Sequence, residues 1–250
     1  MATKPDTSME NTPDSSQISV LFLAYDTFNT LDINGPLDVL GNVALSEDPF
    51  KLTIAAQHDI TISAEGAKIQ RHISFITAFE TLENYDILIQ PGGSSDDIFP
   101  HLYPHKDSHF SDMLNIIEEF SQLGSSPRLH GPRIIMSICT GALFLGSAGI
   151  FSGLNATTHF LTLPKLKIIC DAYTARSSTH KSTTVVPNPA SLNFRYVKEQ
   201  LSLDKKVRVI SSGGISCGID ATLYLLALVK GIQPALAVAQ MMQYAWREMP

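Results

Sequence analysis

Between Arg133 and Gly149 the chain reads RIIMSICTGALFLGSAG, and this stretch restricts the fold more than any other. Ile134-Ile135-Met136 is an apolar run of the length and bulk expected for a strand covered on both faces, as in a parallel sheet. Ser137-Ile138-Cys139-Thr140-Gly141 then leads into small and apolar residues, Ala142 to Gly146, that read as a closely packed helix. A strand turning sharply into a helix lifts the turn residue above the sheet edge, beside the first free N–H groups of the helix. Cys139 occupies that turn. Partial positive charge on those N–H groups favours a thiolate, so this reading predicts a thiol pKa below its ordinary value. The same groups are donors for negative charge developing on a substrate. A cysteine at a strand end is also commonly a small packing hydrophobe, and the segment by itself leaves both readings open.

The rest of the chain repeats the alternation. Residues 18–24 are an apolar run taken as the first strand. YDTFNTLDINGPLDVLGNVAL follows, beginning as a loop and turning helical around Pro36, a favourable residue for a first helical turn. Asp32 then falls on the loop just before that helix, near the carboxyl end of the first strand, where open α/β sheets bind ligands. A plain loop or capping aspartate is the alternative. Residues 51–56 read as a second strand, 60–63 with 68–71 as a hairpin, and 86–90 as a third core strand. Pro91-Gly92-Gly93 closes that strand. Paired glycines there serve a turn with positive φ, or let a ligand approach backbone N–H groups.

Residues 94–109 are polar, with His101, His105 and His109 recurring every four residues. Pro104 interrupts the helix that would align them, and no usual ligand set is completed nearby, so no metal site is expected. A helix is expected over 111–123. His159 follows 154–158 at another strand-to-helix junction, ahead of a helix over 160–172. Residues 176–193 read as a polar loop. Short strands at 194–199 and 207–210 lead through SSGGISCGID to a long apolar helix at 221–229 and a terminal helix at 235–246. Together these predict one α/β three-layer domain over residues 18–250, with a largely parallel sheet.

Composition narrows the partners. A net charge of −6 and a pI near 5.7 argue against nucleic acid or an anionic membrane. Three cysteines, at 139, 170 and 217, fit neither a disulfide framework nor a zinc site, so a reducing, cytoplasmic setting is expected. No apolar run reaches the ~18 residues of a membrane span. Residues 1–17 lack the apolar core of a signal peptide and are rich in Ser, Thr, Pro and Asp, which predicts a disordered tail.

Five segments, taken together, resemble a family: LDINGPLDVL at 31–40, QPGG at 90–93, SICTGA at 137–142, ATTHF at 156–160 and SGGISCGID at 212–220. In order and spacing they are similar to the DJ-1/PfpI superfamily (class I glutamine amidotransferase-like), and within it to the isonitrile hydratase, or isocyanide hydratase, branch. The resemblance spans about residues 18–246. It implies a flavodoxin-like α/β sandwich, with Cys139 as nucleophile on a strand–helix elbow. It also implies Asp32, four positions before the Pro, as the carboxylate partner. Backbone N–H groups around Gly92, Gly93 and Thr140 would then hold substrate or an oxyanion, with His159 standing behind the groups that touch substrate. No cofactor and no metal are implied, and a homodimer is. PfpI-type peptidases carry a His directly after the nucleophile, whereas this chain has Thr140, which is no base near neutral pH. The implied activity is hydration of an isonitrile to an N-substituted formamide through a Cys139 thioimidate. Glyoxalase- or deglycase-like chemistry at the same cysteine stays open. So does a non-catalytic ligand or redox sensor, as in AraC-type regulators, whose additional helix-turn-helix segment is not found before Pro250.

Overall fold

A computed structural model of the chain describes residues 17–45, 50–104, 107, 109–187, 195–204 and 206–247. The expected tail, residues 1–17, lies outside them apart from Gln17. So do His105 and the later part of the 176–193 loop.

The strands are β1 (Ser19–Ala24), β2 (Lys51–Ala56), β3 (Ile60–Ile62), β4 (Lys68–Gln70), β5 (Ile73–Ser74), β6 (Ile87–Gln90), β7 (Ser125–Ser126), β8 (Gly131–Ser137), β9 (Asn155–Ala156), β10 (Thr184–Val185), β11 (Tyr196–Leu201) and β12 (Val207–Ser212). The helices are α1 (Thr30–Gly41), α2 (Phe75–Glu80), α3 (Ser95–Leu102), α4 (Ser111–Gln122), α5 (Ala142–Ser147), α6 (Leu163–Thr174), α7 (Cys217–Lys230) and α8 (Ile232–Met241). The central sheet runs β11-β12-β8-β6-β1-β2-β5, with β7 joined to β8. All of its pairings are parallel except β11 with β12 and β7 with β8.

The apolar runs explain this order. β1 is buried from end to end, and Ile87, Leu88, Ile89, Ile134, Ile135 and Met136 have no exposed surface. Strands buried on both faces need helices on both sides, and a parallel sheet with helical crossovers supplies them. β11 carries Lys198 and Glu199 on an edge, which blunts pairing with another chain. On the flanks α1, α7 and α8 pack together, as do α2 with α4, and α5 with α3 and α6.

The chain leaves β1 toward β2 and β5, then returns to the other side of β1 with β6, β8 and β12. Such a reversal opens a crevice beyond the carboxyl ends of the strands on either side of it. Here the segments entering that crevice follow β1, β6, β8 and β12.

Two local readings change. The first helix begins at Thr30, not at Pro36, because the Asn29 side chain accepts the Leu31 N–H and caps it. Asp32 is thus in the first helical turn rather than on a loop, and Pro36 lies inside the helix. Residues 94–109 are also partly helical: Ser94 caps α3, whose first turn holds Asp96 and Asp97. Acidic residues favour a helix start through its partial positive charge, and that offset the presence of Pro100 within the helix.

Behind the crevice a buried network fastens the C-terminal segment. Arg195 pairs with Asp220, which has no exposed surface. Arg195 also donates to Ser216 Oγ at 2.9 Å. Asp220 further accepts the Tyr244 hydroxyl at 2.9 Å and the Arg247 N–H at 2.8 Å. An ion pair out of water is held only when its remaining hydrogen bonds are satisfied, as they are here.

Candidate active site

β8 ends at Ser137, and the next residues turn so sharply that Cys139 takes φ +56°. A residue with a Cβ costs about 1–2 kcal/mol in that left-handed region, so the turn must be held from outside. It is held on three sides. Ile138 N–H donates to Gln90 O at 2.9 Å, Cys139 N–H to Gly213 O at 3.1 Å, and Thr158 Oγ1 to Cys139 O at 2.8 Å. The end of β6 and the loops after β9 and β12 therefore all grip the elbow. Cys139 is 4% exposed and lines a cavity of about 310 Å³ shared with Asn29, Gly93, Thr140, His159 and Ile215.

Asp32 has no exposed surface. Its Oδ2 accepts the Gly92 N–H at 3.0 Å, joining the segments after β1 and β6. Its Oδ1 meets no partner in good hydrogen-bond geometry, and the Cys139 thiol is the side-chain donor that acts on the carboxyl. Burial raises the Asp32 pKa to about 7, against the opposing pull of the Gly92 N–H and the thiol. A carboxyl this deep holds its proton because ionisation would put a charge in a low-dielectric site.

The thiol behaves differently from the sequence expectation. Its pKa is pushed up, first by burial and then by the charge of Asp32, against the N–H groups of Ile215 and Thr140 that favour the thiolate. The partial charge at a helix start was expected to dominate, but α5 is only six residues long and follows a 3-10 turn at Cys139–Gly141. Desolvation and a neighbouring carboxylate outweigh it. The pair shares its protons, with the first to leave coming from the acid side.

Gly92 and Gly93 are arranged differently from a ready oxyanion site. The Gly92 N–H is taken by Asp32 and the Gly93 N–H by Thr140 Oγ1, at 2.7 Å. The Thr140 hydroxyl in turn donates to Gly93 O at 2.8 Å, so it clamps the β6 loop. A Cβ on Gly92 would lie 2.5 Å from both the N and the Oγ1 of Thr140, so only glycine allows this approach. The N–H groups that act on the sulfur are those of Thr140 and Ile215. Ile215, with φ +48°, went unnoticed in the sequence, although SSGGISCG after an apolar strand repeats the strand–turn–helix pattern of SICTGA.

His159 is half-buried at the cavity wall. Its Nδ1 accepts the Leu161 N–H at 3.3 Å, and burial lowers its pKa. The ring lies over Gly214, where a Cβ would stand 2.2 Å from His159 Cδ2. His101 and His109 stand apart from this cavity. Their rings stack at 4.3 Å, and Asp107, absent from the sequence reading, meets His101 Nδ1 at 2.6 Å. Among the described residues no group of three or more His, Cys, Asp or Glu is placed to hold a metal ion. Cys170 is on the buried face of α6 and Cys217 opens α7.

No family model matches the chain. Isonitrile hydratase of Pseudomonas putida is 25% identical to it over 228 residues, covering 91% of this chain and 79% of the relative. In sequence the chain is thus similar to an isonitrile hydratase, and in fold to the DJ-1/PfpI superfamily. The fold agrees: a crystal structure of a ThiJ/PfpI family protein from Pseudomonas syringae superposes with a TM-score of 0.66 at 22% identity, covering 97% of this chain and 82% of that one. Drosophila melanogaster DJ-1beta superposes with a TM-score of 0.63 at 16% identity, covering 92% of this chain and all of that one. All five segments that carried the DJ-1/PfpI resemblance meet at the crevice. QPGG, SICTGA, ATTHF and SGGISCGID surround the elbow, and the first lies in α1 with Asp32.

Proposed function

We propose that this chain is a cofactor-independent, isonitrile hydratase-like enzyme, with Cys139 as nucleophile and Asp32 as proton donor. The observation that carries this reading is a fully buried carboxyl, with its pKa raised to about 7, acting on the only cysteine that lines the cavity. An isonitrile carbon becomes electrophilic as it takes up a proton, so it needs an acid and a soft nucleophile at one point. Asp32 gives its proton to the terminal carbon, sulfur bonds to the same carbon, and the thiol proton passes to the Asp32 carboxylate. The product of this step is the thioimidate R–N=CH–S–Cys139. Water then adds across the C=N bond, hydroxyl to carbon and hydrogen to nitrogen. The C–S bond breaks as the hydroxyl proton returns to the Cys139–Asp32 pair, leaving R–NH–CHO. The N–H groups of Thr140 and Ile215 steady the charge on sulfur as it arrives and leaves.

The test is incubation of purified protein with a panel of isonitriles and with methylglyoxal, following formamide and lactate. Formamide formation that depends on Cys139 and Asp32 is expected, with weak or no lactate. Cys139-dependent consumption of methylglyoxal, with every isonitrile ignored, would move the activity elsewhere in the superfamily.

A further inference from the structure

The turn of the β3–β4 hairpin reaches over the candidate site. Ala64 lines the cavity, and its N–H donates to Phe28 O at 2.9 Å. Glu65 comes next. Its Oε1 accepts Asn29 Nδ2 at 2.7 Å, and its Oε2 accepts the Thr30 N–H at 2.8 Å and the Thr30 hydroxyl at 2.6 Å. Asn29 and Thr30 are the cap and first residue of α1, the helix whose first turn carries Asp32. The Asn29 amide is fixed at both ends: Oδ1 accepts the Leu31 N–H at 3.1 Å and one Nδ2 hydrogen goes to Glu65. An amide nitrogen has two hydrogens, so the second remains on a side chain that lines the cavity with Cys139. The reaction derived above makes no use of Glu65. Yet a carboxylate on a helix N-terminus offsets the partial positive charge there, the charge that would otherwise draw the proton off Asp32.

We propose that Glu65 is a positioning residue for the candidate site: it fixes the first turn of α1 through Asn29 and Thr30, and its charge there helps to hold the proton on Asp32. The inference rests on the reading of Asp32 as the site's acid. The titratable groups acting with Asp32 are the Cys139 thiol, the buried Tyr25 phenol and Glu65. Hydrogen bonds from Thr30 hold Glu65 below the usual carboxylate range, so it is ionised at neutral pH, and its charge raises Asp32.

Alkylation of Cys139 by iodoacetamide against pH, read by peptide mass, tests this in the wild type, Glu65→Gln and Glu65→Ala at low and high salt. Alkylation needs a thiolate but no isonitrile. A wild type that hydrates no isonitrile therefore sinks the functional reading, while the Glu65 experiment still gives an answer. Glu65→Gln keeps an oxygen for Thr30 and loses the charge. Its first alkylation limb is expected about half a pH unit lower at low salt. The wild-type limb is expected to move the same way as salt is raised, since an exposed charge is screened. Glu65→Ala is expected to show the same shift and a lower melting temperature than Glu65→Gln. A Glu65→Gln limb that coincides with the wild type at low salt overturns the electrostatic role. Equal melting temperatures in all three proteins overturn the positional one.

Discussion

Asp32 and Cys139 lie 107 positions apart in the sequence and act on one another in the crevice. Replacing Cys139 by Ser or Ala is expected to abolish formamide formation with the fold intact by circular dichroism. Cys170→Ala and Cys217→Ala are expected to retain it. Asp32 also makes stability depend on pH. Its pKa rises from 3.8 to about 7 on folding. The folded state therefore binds the proton more tightly, and that stabilisation is complete below the unfolded value. It is lost as pH rises through about 7. The loss amounts to roughly 4 kcal/mol. Denaturant titrations of wild type and Asp32→Asn should converge or cross as pH rises from 4 to 8, with the slope absent in the variant. A wild type as stable at pH 8 as at pH 4, relative to Asp32→Asn, would refute the buried acid. At this scale the sequence reading named, through their motif, the two residues that the crevice brings together. It misjudged the thiol, because desolvation depends on what covers a side chain, and three of the covering segments lie far along the chain. Ile215 was missed for the same reason: its role comes from a backbone N–H, which no residue type advertises.

The elbow and the β6 loop work as one element, since Gly92, Gly93 and Thr140 are interlocked. Gly92→Ala should push the Thr140 backbone away, remove the Asp32 contact and cost well over tenfold in turnover. Binding a non-reactive formamide by calorimetry would show whether the cavity survives. Thr140→His should not raise isonitrile hydration, because it removes the clamp on Gly93 and brings in an imidazole competing for the thiol proton. Faster formamide release by that variant, in a stopped assay, would count against the Asp32–Cys139 pair. Elements with a continuous apolar signal, such as β1, β6 and β8, were legible because strands covered on both faces carry no polar alternation to confuse. The start of α1 was misread because Pro36 looks like a first-turn residue, whereas the deciding group was the Asn29 cap. α3 was hidden by Pro100 and by a polar composition that resembles a loop.

For the whole molecule, apolar surface remains uncovered. Ile76 is 69% exposed and Leu161 71%, with Phe79 and Phe160 also exposed. Large contiguous apolar surface commonly marks an interface, and the family resemblance implies a homodimer. Light scattering at micromolar concentration is expected to give twice the chain mass of 27.3 kDa, and a species of 27 kDa would refute it. The sheet order was legible only as "largely parallel". The reversal beside β1, which makes the crevice, is a property of return paths that local patterns do not encode.

The Cys139 N–H rests on the carbonyl of Gly213, and this has a consequence for how the protein is born. A ribosome that has delivered the cysteine still has more than seventy residues to make before that carbonyl exists. Through that interval the thiol sits on an elbow lacking its third support, and neither the Ile215 N–H nor the Asp220 network behind it is present. Until β12 slots in beside β8 the thiol lacks part of the cover that pushes its pKa up, so the growing chain carries an unshielded cysteine that folding later closes off.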